Sequence, residues 1–249
     1  MERIAFGGIS GKTGRTVAGN LSENNHIDIV AGIGENSVGT DIGELLHNKK
    51  NYKYIYKNFQ EVIDNQEVDL FIDFSTCEAA PKNIELALIN KISTIVGTTG
   101  IDEKEIERLS SIAKENNVFL LWSSNFSLGI ASLSNALNAL SKIFDKDNIG
   151  IIEVHHSDKA DMPSGTALYL KDKIGLTSNQ NISSLRIPLK ISRHTIFASG
   201  VGENLFIEHT VVDSQAFTVG ILFVINNYRE FTGVYLDLAS FLKVLEKKV

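Results

Sequence analysis

The chain is short of the features that would take it out of a reducing, aqueous setting. It holds one cysteine, Cys77, in 249 residues, so no intrachain disulfide can form and a reducing compartment is expected. Cys77 itself reads as a small buried hydrophobe. No apolar run approaches the roughly 18 residues of a membrane span. The nearest, Phe217 to Ile225, ends at Asn226-Asn227. Met1-Glu2-Arg3 leads straight into an apolar segment, leaving no room for a signal peptide, so a cytoplasmic protein is expected. Positive charge is in deficit, with a formal net charge of -6. That argues against nucleic acid or an anionic membrane as a general partner, and any anionic ligand must meet a local cluster of positive groups. Neither His-x-x-x-His nor Cys-x-x-Cys spacing occurs, and there is no Gly-x-Ser-x-Gly elbow for a serine nucleophile. No internal repeat or low-complexity linker is visible.

Hydrophobic residues make up 43% and charged residues 22%, enough for a substantial core in one large domain or two modest ones. Arg3 to Gly7 reads as a buried strand, and Arg15 to Leu21 as a helical run. Between them lies Gly8-Ile9-Ser10-Gly11-Lys12-Thr13-Gly14, a glycine turn that suits dinucleotide binding. Gly8 would permit the tight turn, Gly11 the approach of a pyrophosphate, and Gly14 the packing of helix on strand. The second strand is Ile27 to Ile33, and Glu35 lies 21 residues after Gly14, where such folds place an acid on the adenosine ribose. A solvated loop glutamate is the other reading of Glu35.

Strand and helix patterns then alternate. Val68 to Phe74, Ser93 to Val96 and Val118 to Trp122 read as strands. Ala79 to Asn90 and Asp102 to Asn116 read as helices, with Asp102 an N-cap. The expectation is a parallel sheet covered on both faces, with ligands at the carboxyl ends of its strands. Three strand ends are therefore of interest: Phe74-Ser75-Thr76, Gly97-Thr98-Thr99-Gly100 and Ser124-Asn125-Phe126. Trp122 reads as core. From Ser127 the pattern changes to an apolar helix over Ile130 to Phe144, a strand over Ile149 to Val154 and a helix from Ser164. Strands over Ile187 to Ser192, Thr195 to Ala198 and Leu205 to Val212 follow, and their short connections imply a mixed or antiparallel sheet. Phe217 to Asn226 and Tyr235 to Lys247 read as closing helices. The fold class is thus α/β: a Rossmann-type parallel-sheet domain over 1–126 and 215–249, with a smaller α+β domain over 127–214.

The most informative stretch runs from Glu153 to Ala167. Two histidines end a strand, Lys159 follows, and Pro163-Ser164-Gly165-Thr166 opens a helix. A helix start has unpaired N–H groups and a partial positive charge. With an ammonium and two imidazoles beside it, the site suits a small anionic substrate that gains or loses a proton. A metal held by His155, His156, Asp158 and Asp161 is not expected, because neighbouring strand residues point to opposite faces.

This stretch resembles the active-site segment of the dihydrodipicolinate reductase family, whose pattern is E-x-H-H-x-x-K-x-D-x-P-S-G-T-A. Every fixed position is met at the family's spacing. The resemblance implies reduction of 4-hydroxy-tetrahydrodipicolinate, a dicarboxylate, with NADH or NADPH, on the lysine and diaminopimelate route. It implies His155 as general acid/base, with Lys159 as proton donor and stabiliser of the developing nitrogen anion. His156, Ser164, Gly165 and Thr166 would hold the substrate's carboxylates. The turn from Gly8 to Gly14 with Glu35 would hold the cofactor, and the three strand ends would line its nicotinamide pocket. The family's reductases are usually homotetramers joined through the second domain's sheet. Gly233-Val234-Tyr235 matches a family step where the chain returns to the nucleotide-binding domain. Three departures stand out: only ten residues separate Gly175 from Arg186, the family's R-x-G-x-x-x-G-E-H run is kept only at its ends, Arg186 and His194, and Asp213-Ser214 replaces the family's Ser-Arg. The rival readings are another two-domain nicotinamide dehydrogenase of a small amino or keto acid, and a non-catalytic nucleotide-binding relative. Cofactor choice is set by opposed charges, Glu35 favouring NADH and Lys12 favouring NADPH, for a modest net preference for NADH.

Overall fold

The computed structural model describes residues 1–188 and 190–247. Along the chain these form β1 (Glu2–Gly7), α1 (Lys12–Ser22), β2 (Ile27–Ile33), α2 (Ile42–His47), β3 (Ile55–Tyr56) and α3 (Phe59–Asn65). Next come β4 (Leu70–Asp73), α4 (Ala80–Ile89), β5 (Ser93–Val96), α5 (Glu103–Glu115) and β6 (Phe119–Trp122). The second half holds α6 (Leu128–Leu140), β7 (Ile149–His156), α7 (Gly165–Ile174), β8 (Ile182–Ile187), β9 (Ser192–Gly200) and β10 (Glu203–Val211). The chain closes with α8 (Gln215–Asn227), β11 (Gly233–Tyr235) and α9 (Leu238–Leu245). Two compact units result, one of Met1–Phe126 with Phe217–Phe241, the other of Ser127–Ala216 with the chain from Leu242.

The first unit is built on a seven-stranded sheet in the order β11-β6-β5-β4-β1-β2-β3, with every pairing parallel. Parallel strands need crossovers, and the crossover helices cover both faces, so the strands are apolar along their length. Every residue of β4 and of β6 is buried. Trp122 packs in this core, as expected. Asp102 caps α5 by accepting from the Lys104 N–H, with Glu103 and Glu105 in the first turn and Lys114 in the last, all favourable to the helix dipole. The strand order reverses on either side of β1, which opens a crevice at the carboxyl ends of β1 and β4.

The second unit has a four-stranded mixed sheet, β10-β9-β7-β8, in which only β7 and β8 run parallel, joined through α7. One face packs Ile149, Ile151, Ile196 and Ala198 against Ile130, Leu133 and Leu137 of α6 and Leu170 and Ile174 of α7. The opposite face leaves Ile152, Leu185 and Phe206 exposed.

Several elements differ from their sequence-based expectations. The strand expected over 187–192 is instead the end of β8 and the first residue of β9, with 188, 190 and 191 in neither and 189 outside the described residues. Pro188 has no N–H for a ladder, so the apolar run through it is a connection. Tyr235 ends a short strand beside β6, and the last helix starts only at Leu238. Helices α2 and α3 and strand β3 carried no sequence expectation, being short and polar. Cys77 is half-exposed, its thiol donating to Glu78.

At the carboxyl end of β4, Asp73 is wholly buried. Its Oδ1 accepts from the Ser75 N–H (3.1 Å), the Ser75 hydroxyl (2.8 Å) and the Thr98 hydroxyl (2.5 Å), tying β4 to the end of β5. Its Oδ2 is buried without a partner. Burial raises the Asp73 pKa, and the three donors only oppose that shift. A carboxyl whose folded pKa lies above its unfolded value costs stability once pH exceeds the unfolded value, and costs nothing below it. Asp73→Asn keeps the acceptor oxygen without the charge. It should raise Tm at pH 7.5, and the gap to wild type should narrow as pH falls toward about 4. Thermal unfolding followed across that range checks this; a gap independent of pH would contradict it.

Candidate active site

In the first unit the glycine turn follows β1 directly. Gly8 has φ +72°, and a side chain there would run into the Phe74 and Ser75 backbone. A Cβ on Gly14 would lie 2.1 Å from the Gly8 carbonyl oxygen, so α1 packs on the turn only because Gly14 lacks one. Gly11 donates to that same carbonyl at 3.0 Å, and a Cβ on it would meet nothing closer than 3.2 Å. The tightness expected of Gly8 and Gly14 is therefore present, and it leaves a backbone cradle at the start of α1.

A cleft of about 480 Å³ opens beside the turn. Gly8, Gly11, Glu35, Phe74 and Ser75 border it, so residues singled out in separate stretches of the sequence come together. Ser10, Asn36, Lys57, Thr76 and Lys82 also line it. Lys12 and Thr13 are exposed in the first turn of α1 and are not on its lining, nor is Gly14. The remaining residues sit at the ends of β5 and β6, outside this lining: Gly97, Thr98, Thr99, Ser124, Asn125 and Phe126. A Cβ on Gly97 would fall 2.2 Å from the Phe74 ring, which instead stacks on Phe6 at 5.9 Å and tilts against Phe126 at 5.8 Å. Lys57 and Lys82 carry no local motif; only the folding of α3 and α4 brings them to the cleft.

In the second unit, alternation along β7 sends Glu153 and His155 to the helix-covered face, and His156 to the other. Antiparallel register sets His194 of β9 directly opposite Glu153. Glu153 Oε2 lies 3.3 Å from His155 Nε2 and 3.7 Å from His194 Nε2. Its Oε1 accepts from Arg186 of β8 at 3.1 Å and from the Ser164 N–H at 3.0 Å. Ser164 caps α7, its hydroxyl accepting from the Ala167 N–H at 3.1 Å. Burial alone would raise the Glu153 pKa, but hydrogen bonds from Ser164, Ser184 and Arg186 outweigh it and hold the carboxyl below its ordinary range. Burial lowers the pKa of His155, with the Glu153 charge opposing. His194 falls to about 4, through burial and then its neighbour His155. At neutral pH the cluster therefore holds an ionised Glu153, a cationic Arg186 and two neutral imidazoles.

Lys159 Nζ meets Asp161 Oδ1 at 2.7 Å, and the Gly165 N–H donates to Asp161 Oδ2 at 3.2 Å. An ammonium and a helix-start N–H thus converge on one carboxylate. Lys159 is the leading cause of a lowered Asp161 pKa. Thr166 lies half-buried in the same first turn. His156 stands apart from this grouping, half-exposed and 4.0 Å from Asp158.

The donor atoms of Glu153, His155 and His194 lie within 4.8 Å of one another, a spacing that could hold a metal ion. The pairing is not of adjacent histidines but of strand positions two apart and directly across. The charges oppose it: Arg186 and the Ser164 N–H already occupy the carboxylate, and a guanidinium at 3.1 Å repels a dication. Glu153, Arg186, His194 and Asp161 had no assigned role in the sequence reading. The period-two spacing of Glu153 and His155 was one available signal, and the family run kept at Arg186 and His194 was another; the pairing of His194 with Glu153 was not readable.

Comparison with known proteins follows the same division of the chain. The family model described as "Dihydrodipicolinate reductase, N-terminus" matches residues 2–126, and "Dihydrodipicolinate reductase, C-terminus" matches 129–242. The chain is 31% identical to a 4-hydroxy-tetrahydrodipicolinate reductase of Archaeoglobus fulgidus, over 88% of this chain and 90% of the relative. It is 29% identical to that of Carboxydothermus hydrogenoformans, over 92% and 95%. Its fold matches a dipicolinate-bound dihydrodipicolinate reductase from Paenisporosarcina sp., with TM-score 0.84, 24% identity and coverage of 96% and 98%. The chain belongs to the dihydrodipicolinate reductase family, oxidoreductases of lysine and diaminopimelate synthesis that reduce 4-hydroxy-tetrahydrodipicolinate.

Proposed function

We propose that the chain performs its family's reduction with His155 and Lys159 handling protons and charge, and with the glycine turn of the first unit holding NADH or NADPH. The observation that carries the residue assignment is the convergence of Lys159 Nζ and the Gly165 N–H on one carboxylate, in the segment that ends the His155 strand. A substrate carboxylate would meet the same two donors once Asp161 turns aside. The dipicolinate held by the solved relative is a dicarboxylate, in keeping with that reading. Ser164 and Thr166 add hydroxyls in the first turn of α7. His156 serves a carboxylate only if the substrate reaches past the edge of β7, so its contribution is the smaller.

The cradle left open by Gly8 and Gly14 fits a pyrophosphate, and Glu35 on the cleft wall fits a ribose. The cofactor supplies the hydride. His155 exchanges the proton, and Lys159 stabilises charge on the substrate nitrogen and delivers a proton to it. His155→Gln should lower kcat on the order of 10²- to 10⁴-fold with little change in KM. Lys159→Ala should raise KM and lower kcat together, because its charge serves both. Steady-state kinetics with the product of the preceding aldol condensation decide it; near-wild-type constants in both variants would refute the assignment.

The cofactor preference we propose is a modest one for NADH. Glu35 borders the cleft and repels a 2′-phosphate, whereas Lys12 does not border it and Lys57 and Lys82 offset the acid only in part. Screened contacts of this kind are each worth about 1 kcal/mol or less, hence a ratio of roughly three to ten. Glu35→Arg should reverse the order of kcat/KM for the two cofactors. A strong NADPH preference in the unaltered protein would mean that Glu35 does not face the ribose.

A homotetramer is the assembly we propose, joined through the open face of the four-stranded sheet. Ile152, Leu185 and Phe206 are exposed there, and Phe206 stacks edge-on with Phe197 directly across the strands at 4.9 Å. Sedimentation at micromolar concentration should give a tetramer, and Phe206→Glu a smaller species. A monomeric wild type would count against it.

A further inference from the structure

Glu153 has no exposed surface, yet its Oε2 is turned toward the imidazole assigned to proton exchange. His155 Nε2 is 3.3 Å from that oxygen, buried, and without the alignment of a hydrogen bond to any group. A neutral imidazole carries a proton on one nitrogen and a lone pair on the other. A lone pair facing an ionised carboxylate at this distance would be repelled, whereas an N–H would be attracted, and the burial of both groups magnifies the difference. The carboxylate is itself fixed from three sides, by Arg186 of β8, by the Ser164 N–H at the start of α7 and by register with His194 of β9. His194 closes the remaining side, its ring edge-on to that of His155 at 5.1 Å.

We propose that Glu153 is a positioning residue that holds His155 in its Nε2–H tautomer, leaving Nδ1 as the nitrogen that exchanges a proton during the reduction. The inference rests on the assignment of His155 above. The same carboxylate is the one negative charge that favours protonation of His155 from its own strand. Arg186 of β8 and Lys159 of the following segment oppose it, Asp161 of that segment supports it, and His194 is the facing titratable group of β9. Removing the Glu153 charge therefore moves the His155 ionisation to lower pH, in addition to freeing the tautomer.

The first arm of the test uses the unaltered full chain labelled with ¹⁵N-histidine, with the His155 signals assigned by their loss in His155→Gln. The ¹⁵N shifts near neutral pH should show Nε2 protonated and Nδ1 bearing the lone pair. The Nδ1–H tautomer, or an even mixture, would overturn the proposal without reference to activity. The second arm is Glu153→Gln, with folding checked by circular dichroism and Glu153→Asp as the variant that keeps the charge. Glu153→Gln should lower kcat on the order of 10²-fold with KM within about threefold, and shift the His155 limb of the kcat profile to lower pH. Glu153→Asp should keep that limb in place. A fall in kcat with an unmoved limb in Glu153→Gln would show a structural role alone and overturn the proposal. If Glu153→Gln does not fold, the tautomer measurement decides. A fully active His155→Gln would refute the assignment of His155 while leaving the tautomer result to stand on its own.

Discussion

The second unit is arranged around one carboxylate that has no access to water. Removing an ionised carboxylate from solvent costs several kcal/mol after relaxation, so Glu153 is tolerable only while its partners stay in place. Those partners come from separate elements: Arg186 from β8, His194 from β9, and the Ser164 N–H from the start of α7. Loss of Arg186 would leave the Glu153 charge uncompensated, and breaking a buried pair typically costs roughly 3–5 kcal/mol. The strand order β9-β7-β8 and the parallel crossover through α7 are therefore more than a way to cover an apolar face. They are also the arrangement that brings a guanidinium, an imidazole and a helix-start N–H to one point. A hydrophobic substitute for the carboxylate could fold as well, but it would impose no charge on His155.

The first unit works on backbone shape rather than charge. Gly8 and Gly14 are required because a carbonyl oxygen and a helix start come closer than any side chain permits. Asp73 then ties the end of β4 to Thr98 beyond β5, and Gly97 clears room for the Phe74 ring. The result is a rigid rim at the carboxyl ends of the strands, where a parallel sheet leaves its crevice. Lys57 and Lys82 bring positive charge to the cleft wall, in a chain of net charge -6. Positive charge is thus local to the cleft wall while the chain as a whole is acidic.

Much of this was legible in the sequence where a local rule acts alone. The turn from Gly8 to Gly14, the strand Ile27–Ile33 and the Asp102 cap are each specified by residues within one turn or one strand. The segment from Glu153 to Ala167 was legible through its likeness to a family. What was not legible depends on register. Nothing near His194 in sequence states that it faces Glu153, because the pairing is made by a β7–β9 alignment across some forty residues. The apolar letters around Pro188 imitated a strand that the missing N–H forbids. Helices α2 and α3 escaped for a different reason: at six and seven residues they are held by caps and tertiary contacts, not by a long amphipathic period.

Of the departures from the family's pattern, one falls between α7 and Arg186 and another at the entry to α8. The shortened connection leaves α7 through Gly175, whose φ of +79° closes the helix with bonds to the Lys171 and Asp172 carbonyls. A single short turn over Asn179–Asn181 follows, and the Asn181 side chain donates to the Ile149 carbonyl at 2.9 Å, at the start of β7. That bond pins the entry of β8 beside β7, so that Ile182 pairs with Ile151 and Arg186 with His155. From that register the Arg186 guanidinium reaches Glu153 and the Lys159 and Asp161 carbonyls. Ser214 lies just ahead of α8 and makes no contact with Glu153, His155, Lys159 or Ser164 among the described residues. The short connection therefore still delivers β8 in register with β7, with Arg186 beside Glu153 and one asparagine bond at the strand's entry.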